Sequence, residues 1–244
     1  MLLFLKQKKK IVKKEEQERS TMVALLSHRL RTPLTAVRWG TGLLLDQGFG
    51  KLQISQMEVL NKIRISVTDA IGVLNTFLEA SRIERGSIDT TPLALDVLEY
   101  LPRLMSTYES LLEEKKQIIE LPKHEGRVLV CMNPLILHTI VEVIVHNALL
   151  YSPEGSTIKI NVDDTDAHHV MVSITDSGIG ISPEDMKKLF TKFFRSHEAL
   201  IVSTTGNGLG LYFVKNMLDT IGGTISCTSE LHKGSTFTMG LPKA

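Results

Sequence analysis

Cysteine is scarce in this chain: Cys131 and Cys227 are the two in 244 residues. They lie far apart, form no metal-type spacing and point to a reducing compartment. Neither sign of charge dominates, with 28 Lys+Arg against 27 Asp+Glu. That balance lacks the basic excess that nucleic-acid binding uses, so no nucleic-acid partner is expected. The apolar run at the N-terminus is short. Met1-Leu2-Leu3-Phe4-Leu5 is far short of the about 20 residues a bilayer-spanning helix needs, and too short for a signal-peptide core. The Lys-rich stretch from Lys6 to Lys10 leaves two readings open. It is the cytoplasmic side of a membrane-spanning helix, or an ordinary helix start with a solvated charge run. No internal repeat and no low-complexity tract occurs. Hydrophobic content of 43% argues against a disordered chain.

What is present divides into two patterns. Residues 1–20 read as a charged helical linker. From Thr21, Leu26, Leu30, Leu34, Val37 and Leu44 recur at helical spacing. Pro33 lies inside this stripe and should kink it, because it removes a backbone donor. Gly48-Phe49-Gly50 breaks the pattern. A second stripe of Met57, Leu60, Arg64, Val67, Ile71, Leu74 and Leu78 runs to about Ile83. Two amphipathic helices around a short break predict an antiparallel hairpin over residues 21–88. A lone hairpin leaves apolar stripes uncovered, so a homodimer forming a four-helix bundle is expected. Trp39 is expected to pack within that bundle.

Asp89-Thr90-Thr91-Pro92 reads as a linker, opening a second domain over residues 89–244. A helix is expected from Leu95 to Lys115. Alternating runs then predict strands at Val128/Val130, Ile158/Ile160/Val162, Val170/Val172/Ile174, Ile225/Cys227 and Phe237/Met239. Helical patterns lie near 134–150, 184–190 and 209–220. The sum is an α+β sandwich, a sheet with helices over one face.

Two glycine clusters carry the chemistry. Asp176-Ser177-Gly178-Ile179-Gly180 follows a strand, and Gly206-Asn207-Gly208-Leu209-Gly210-Leu211 opens a helix. Glycines ahead of a helix let backbone N–H groups approach phosphates, with the helix dipole adding attraction. An Asp at a glycine turn accepts a hydrogen bond from an adenine amino group. A helical Asn147 offers a carbonyl to Mg²⁺. Either cluster alone is weak evidence; both, in this order after Asn147, are not.

With these residues in place the chain resembles the catalytic core of two-component sensor histidine kinases. His28-Arg29-Leu30-Arg31-Thr32-Pro33-Leu34 resembles the family's H box. The stretch from Asn147 to Pro153 resembles the end of its N box. Asp176 to Gly180 resembles the first glycine box, Phe190 to Arg195 the F box, and Gly206 to Leu211 the second glycine box. The resemblance implies that His28 accepts the γ-phosphoryl of ATP and that Asp176 reads adenine beside Gly178 and Gly180. It implies that Asn147 holds Mg²⁺ and that Tyr151 lines the pocket. Residues 196–205 would form a lid, with Phe190, Phe193 and Arg195 at its near end and Gly206, Gly208, Gly210 and Leu211 at its far end. Thr32 matches the position that orients water in dephosphorylation of a response regulator. The implied partner is a response-regulator receiver domain. The implied location is the cytoplasmic face of the cell membrane, below a membrane-spanning sensor.

Three positions depart from the family's pattern. Arg29 stands where the family has an acidic residue, and it cannot accept a proton. Val143 stands in place of an earlier Asn. Leu150 replaces a phosphate-contacting Lys, a charge for which Arg195 or Lys192 is the expected compensation. These departures support a rival reading, a degenerate kinase that binds a partner or mainly dephosphorylates it. Another ATPase of the same nucleotide-binding type is disfavoured, since those lack an H box on a preceding hairpin.

Overall fold

Eighteen residues, Pro134–Tyr151, form the helix α5 on which the second half of the chain is assembled. It begins where Asn133 accepts a hydrogen bond from the Leu135 amide at 2.8 Å and Pro134 takes the first helical position, which lacks an intrahelical donor requirement. Its composition is apolar nearly all round, enough by length to cross a membrane. Here it is instead a core helix. Ile136, Leu137, Ile140, Val141, Ile144, Val145, Ala148 and Leu149 are all buried.

The structure is a computed structural model that describes residues 30, 32–46, 50–64, 66–67, 70–71, 91–123, 126–203 and 206–244. The chain divides into two compact units, Met1–Ile88 and Asp89–Ala244.

In the first unit, residues 32–45 form helix α1, and a second helix, α2, covers residues 54–64. Thr41 is buried, and its hydroxyl is satisfied by donating back to the carbonyls of Val37 and Arg38, both at 2.9 Å. The expected stripe is only partly covered within one copy of the chain. Val67 and Ile71 are buried, whereas Leu30, Val37 and Leu44 remain exposed. Trp39, expected to pack in the bundle, is 70% exposed in the single chain. His28, Arg29 and the end of the second stripe lie outside the described residues.

The second unit is a five-stranded sheet in the order β2-β4-β5-β7-β6. Its strands are β2 (Ile118–Glu120), β4 (Thr157–Asp163), β5 (His169–Thr175), β6 (Thr224–Glu230) and β7 (Gly234–Pro242). A separate antiparallel pair joins β1 (Leu93–Asp96) to β3 (Leu129–Met132). Only β2 and β4 run parallel; the other neighbours are antiparallel. Alternation holds on the covered face: Ile158, Ile160, Val162, Val172, Ile174 and Met239 are buried. Thr175–Thr236 and Ser173–Thr238 hydroxyl pairs occupy the opposite face at 2.9 and 3.0 Å. Helix α5 and helix α8 (Gly210–Thr220) pack on the apolar side. Each fully buried Leu or Ile there contributes about 1.5–3 kcal/mol.

Local chemistry moved several expected boundaries. Leu95 belongs to β1, and the helix α3 (Val97–Met105) starts after Asp96, whose carboxylate accepts the Leu98 amide at 3.1 Å. A 3₁₀ turn at Ser106–Tyr108 separates α3 from α4 (Glu109–Lys115), so the expected single helix is two. The helix expected near 184–190 is short. Ser182 caps α6 (Pro183–Met186), and the chain then continues in i→i−3 turns, Lys188 N–H to Asp185 O and Thr191 N–H to Lys188 O.

Candidate nucleotide site along helix α5

Helix α5 meets one glycine cluster at each of two places. At its end, the Tyr151 carbonyl lies against the first cluster. A methyl group on Gly178 would sit 2.6 Å from that oxygen and 2.9 Å from Asp176 Oδ1. Glycine is therefore needed for the close approach. One turn before Asn147, Val143 touches the second cluster: a methyl on Gly210 would lie 3.0 Å from Val143 Cγ1. Val143 and Asn147 share one helix face by their spacing of four. The residue in the place of the earlier Asn thus packs an apolar group under the start of α8.

Asp176 is 8% exposed. Its Oδ1 accepts two backbone amides, Gly178 at 2.8 Å and Ser235 at 3.2 Å. Burial pushes its carboxyl above the usual carboxylate range, while those two bonds pull it back. Both bonds go to the same oxygen, and no described residue donates to Oδ2. A fixed carboxylate with one open oxygen is suited to accept an amino N–H from a base. The grip on this turn comes from the β6–β7 hairpin. Ser229 Oγ accepts the Ile181 amide at 2.9 Å and donates to the Gly234 carbonyl at 2.8 Å. The His232 amide donates to Ile179 O at 2.7 Å. Ser229 and Ser235 were not singled out by the sequence reading. The available signal was Lys233-Gly234-Ser235 ahead of the Phe237/Met239 strand, a glycine at a strand start. Cys227, on the neighbouring strand, has its thiol pushed up to about 12 by burial and by the Asp176 charge.

The second cluster is shaped by its neighbour in sequence. Gly208 has φ +66°, and a methyl there would collide with the Phe193–Phe194 backbone. Asn207 Oδ1 accepts the Leu209 amide at 2.9 Å. Helix α8 then begins at Gly210 with no side-chain cap and no acidic residue in its first turn. The first-turn amides of Gly210 and Leu211 have no intrahelical acceptor. An uncapped N-terminus free of carboxylates is a fit for phosphate oxygens.

Between the clusters, helix α7 (His197–Val202) lies within the expected lid, capped by Ser196. Arg195 fastens it. Its guanidinium donates to Gly206 O at 2.9 Å, Ala199 O at 3.2 Å and Ser203 O at 2.5 Å. Arg195 is thus committed to lid carbonyls rather than free to replace the cation missing at Leu150. Lys192 is placed with its ammonium 4.8 Å over the Tyr212 ring. Phe190 is half-buried, but Phe193 does not anchor the lid by packing. It has φ +63° and is 70% exposed; the backbone at Phe193–Phe194, not the ring, meets Gly208.

The structure brings Tyr151, Asp176, Gly178 and Gly180 together at one end of the site, and Arg195, Gly206, Gly208 and Gly210 at the other. Asn147 lies between, half-buried, its amide unbonded among the described residues. That open amide fits a hard cation shared with phosphate oxygens. Among the described residues no cluster of three or more His, Cys, Asp or Glu could hold a metal by itself. Thr32 is on helix α1 and exposed. His28 lies outside the described residues.

Comparisons with known proteins bear on both units of the chain. Residues 132–244 match the model of the histidine kinase-, DNA gyrase B- and HSP90-like ATPase family. Residues 18–86 match that of the His Kinase A (phospho-acceptor) domain. The sensor histidine kinase WalK of Bacillus subtilis is 29% identical over 94% of this chain and 37% of its own length. The sensor-like histidine kinase SenX3 of Mycobacterium tuberculosis is 30% identical over 93% and 54%. The chain spans roughly half or less of the length of these curated relatives. Among solved structures, full-length ShkA in complex with AMPPNP shares the fold with a TM-score of 0.70 at 24% identity, over 92% of this chain and 46% of that one. The Acinetobacter baumannii histidine kinase AdeS does so with a TM-score of 0.59 at 23% identity, over 88% and 98%. With a phospho-acceptor domain ahead of a nucleotide-binding ATPase domain, the chain belongs to the sensor histidine kinases.

Proposed function

We propose that the chain is the phosphotransfer and catalytic core of a two-component kinase. It transfers the γ-phosphoryl of ATP to His28 and from there to an aspartate of a response-regulator receiver domain. The observation that carries this is the pairing of a fixed, half-open Asp176 carboxylate with an uncapped α8 N-terminus along one helix. The first suits adenine and the second suits phosphate.

The unprotonated ring nitrogen of His28 attacks the γ-phosphorus. An N–P bond forms, the bond to the β,γ-bridging oxygen breaks, and ADP leaves. The proton on the other ring nitrogen then passes to water or to a neighbouring base, a role Arg29 cannot take. General-base help is worth about 10²–10⁴-fold, so Arg29 predicts a slow autokinase. Mg²⁺, when bound, neutralises phosphate charge, with Asn147 as its protein ligand. Tyr151 lines the base end and Arg195 holds the lid. Thr32, four residues after His28 in sequence, orients water for removal of phosphate from the regulator.

Residues 21–88 form the dimerisation and phosphotransfer domain, residues 89–244 the catalytic domain, and residues 1–20 a charged linker. Exposed Leu30, Val37, Leu44, Val59 and Ile63 on one copy support a homodimer through the hairpin. A membrane-spanning sensor upstream would place this core at the cytoplasmic face of the membrane. A second reading, a core that acts mainly as a regulator phosphatase, is favoured by Val143. Its apolar contact beneath Gly210 removes a polar group from the metal side.

The test is labelling with γ-labelled ATP and Mg²⁺. Acid-labile, base-stable label that disappears in His28→Ala establishes the kinase. An unlabelled wild type that nonetheless dephosphorylates a receiver domain refutes it in favour of the second reading.

A further inference from the structure

The last carbonyls of a helix have no intrahelical partners. At the end of α5 they are taken by the turn between α4 and β2. Lys115 Nζ donates to Leu149 O at 2.9 Å. Gln117 Nε2 lies 3.3 Å from Leu149 O, 3.2 Å from Ser152 O, 3.1 Å from Pro153 O and 3.3 Å from Ser156 Oγ. Main-chain bonds join the same two turns: Gly155 N–H to Lys115 O and Ile118 N–H to Ser156 O, both at 3.0 Å.

Gln117 is 4% exposed. Its nitrogen carries two protons for four acceptors, so the amide orientation is fixed; a flipped amide would set oxygen against oxygen. Its Oε1 is buried with no partner. A buried amide oxygen without a donor is unfavourable. A residue present only to fill space would be better apolar. The donors are what the position requires, and they all point at the segment carrying Tyr151. That segment in turn abuts the Asp176–Gly178 turn through the Tyr151 carbonyl.

We propose that Gln117, assisted by Lys115, is a positioning residue for nucleotide binding: it fixes the carbonyl end of α5 and so seats Tyr151 against the Asp176–Gly178 turn. This rests on the ATP-binding reading above. Gln117 acts through Tyr151 and the turn, so its loss should change affinity for ATP and not the transfer step at saturation.

The experiment compares the full chain as wild type, Gln117→Met, Lys115→Met and Val97→Ala. Val97 is a buried α3 residue outside the site, included to lower the melting temperature without touching α5's end. The Kd for Mg·ATP is measured by calorimetry, with melting temperature and the labelling rate of His28 at saturating ATP. Gln117→Met is expected to weaken ATP binding about tenfold with the saturated rate within twofold, and Lys115→Met about threefold. Val97→Ala is expected to leave Kd unchanged. If Gln117→Met does not fold, Lys115→Met decides, and an unchanged Kd there overturns the proposal. So does a Val97→Ala shift as large as that of Gln117→Met. A wild type that binds no ATP overturns the nucleotide reading itself, and this proposal with it.

Discussion

Arg195 joins three lid carbonyls, and removing it should open the lid without unfolding the domain. A hydrogen bond to a charged group contributes about 1.5–3 kcal/mol. Arg195 is half-exposed, so solvent reduces each of its three bonds to about 1 kcal/mol. Arg195→Ala should then lower the opening free energy of α7 by about 2–3 kcal/mol. At about 1.4 kcal/mol per tenfold, amides there should exchange with solvent roughly 30- to 150-fold faster. The amides to follow are Leu200, bonded to Ser196 O at 3.2 Å, and Ser203, bonded to Ala199 O at 3.1 Å. Native-state hydrogen exchange read by NMR gives both, alongside amides of the central strand β5 as a measure of global opening. Acceleration at Leu200 and Ser203 with β5 unchanged is the expected result. Less than about threefold acceleration, or equal acceleration in β5, would refute the fastening role.

Three further outcomes follow from the base end of the site. Gly178→Ala forces a methyl between the Tyr151 carbonyl and Asp176 Oδ1. Overpacking typically costs about 1–3 kcal/mol, so ATP affinity should fall at least about fivefold in a calorimetric titration. Asp176 is the pH-sensitive group. Its carboxyl is raised by burial, so affinity for ATP should begin to fall, on acidification, at a higher pH than an ordinary carboxylate would give. Asp176→Asn should bind weakly and show no such inflection. The linkage sign is set by the same shift. The folded state holds this proton to higher pH than the unfolded state does, so the contribution of Asp176 to stability is greatest below the ordinary carboxylate pKa and is lost as pH rises through the folded value. Urea midpoints measured against pH should show that slope in the wild type and lose it in Asp176→Asn.

The parts legible in the sequence are those where backbone must come close to something. Gly178 and Gly208 stand where a methyl would collide with carbonyl or main-chain atoms, and no other residue substitutes there. Strict alternation made β4 and β5 readable, since a seven-residue strand gives three or four inward residues. Strands β1 and β2, of four and three residues, are too short to show a period. Tertiary pairing with β3 and β4 creates them. Arg195 looked like a spare cation, because sequence shows charge but not which carbonyls a loop turns toward it. Ser229 and Gln117 were missed for a related reason: each works through a single side chain bonded to backbone brought from far along the chain. Trp39 was expected to pack, and helical spacing could not say that its side is left open in one copy.

Helix α5 also sets an order in time. It is complete at Tyr151, yet the strands that cover it, β4 to β7, extend to Pro242, about 90 residues later. At about 5–20 residues per second, a ribosome leaves that apolar helix uncovered for roughly 5–20 s. Its contacts are long-range in sequence, and such contacts form slowly. During that interval the chain presents an 18-residue apolar helix with the hydropathy of a membrane span and nothing yet made to distinguish it from one. The candidate site therefore carries a burden in synthesis: the helix that joins its two glycine clusters is also a long apolar segment left uncovered until the later strands are made.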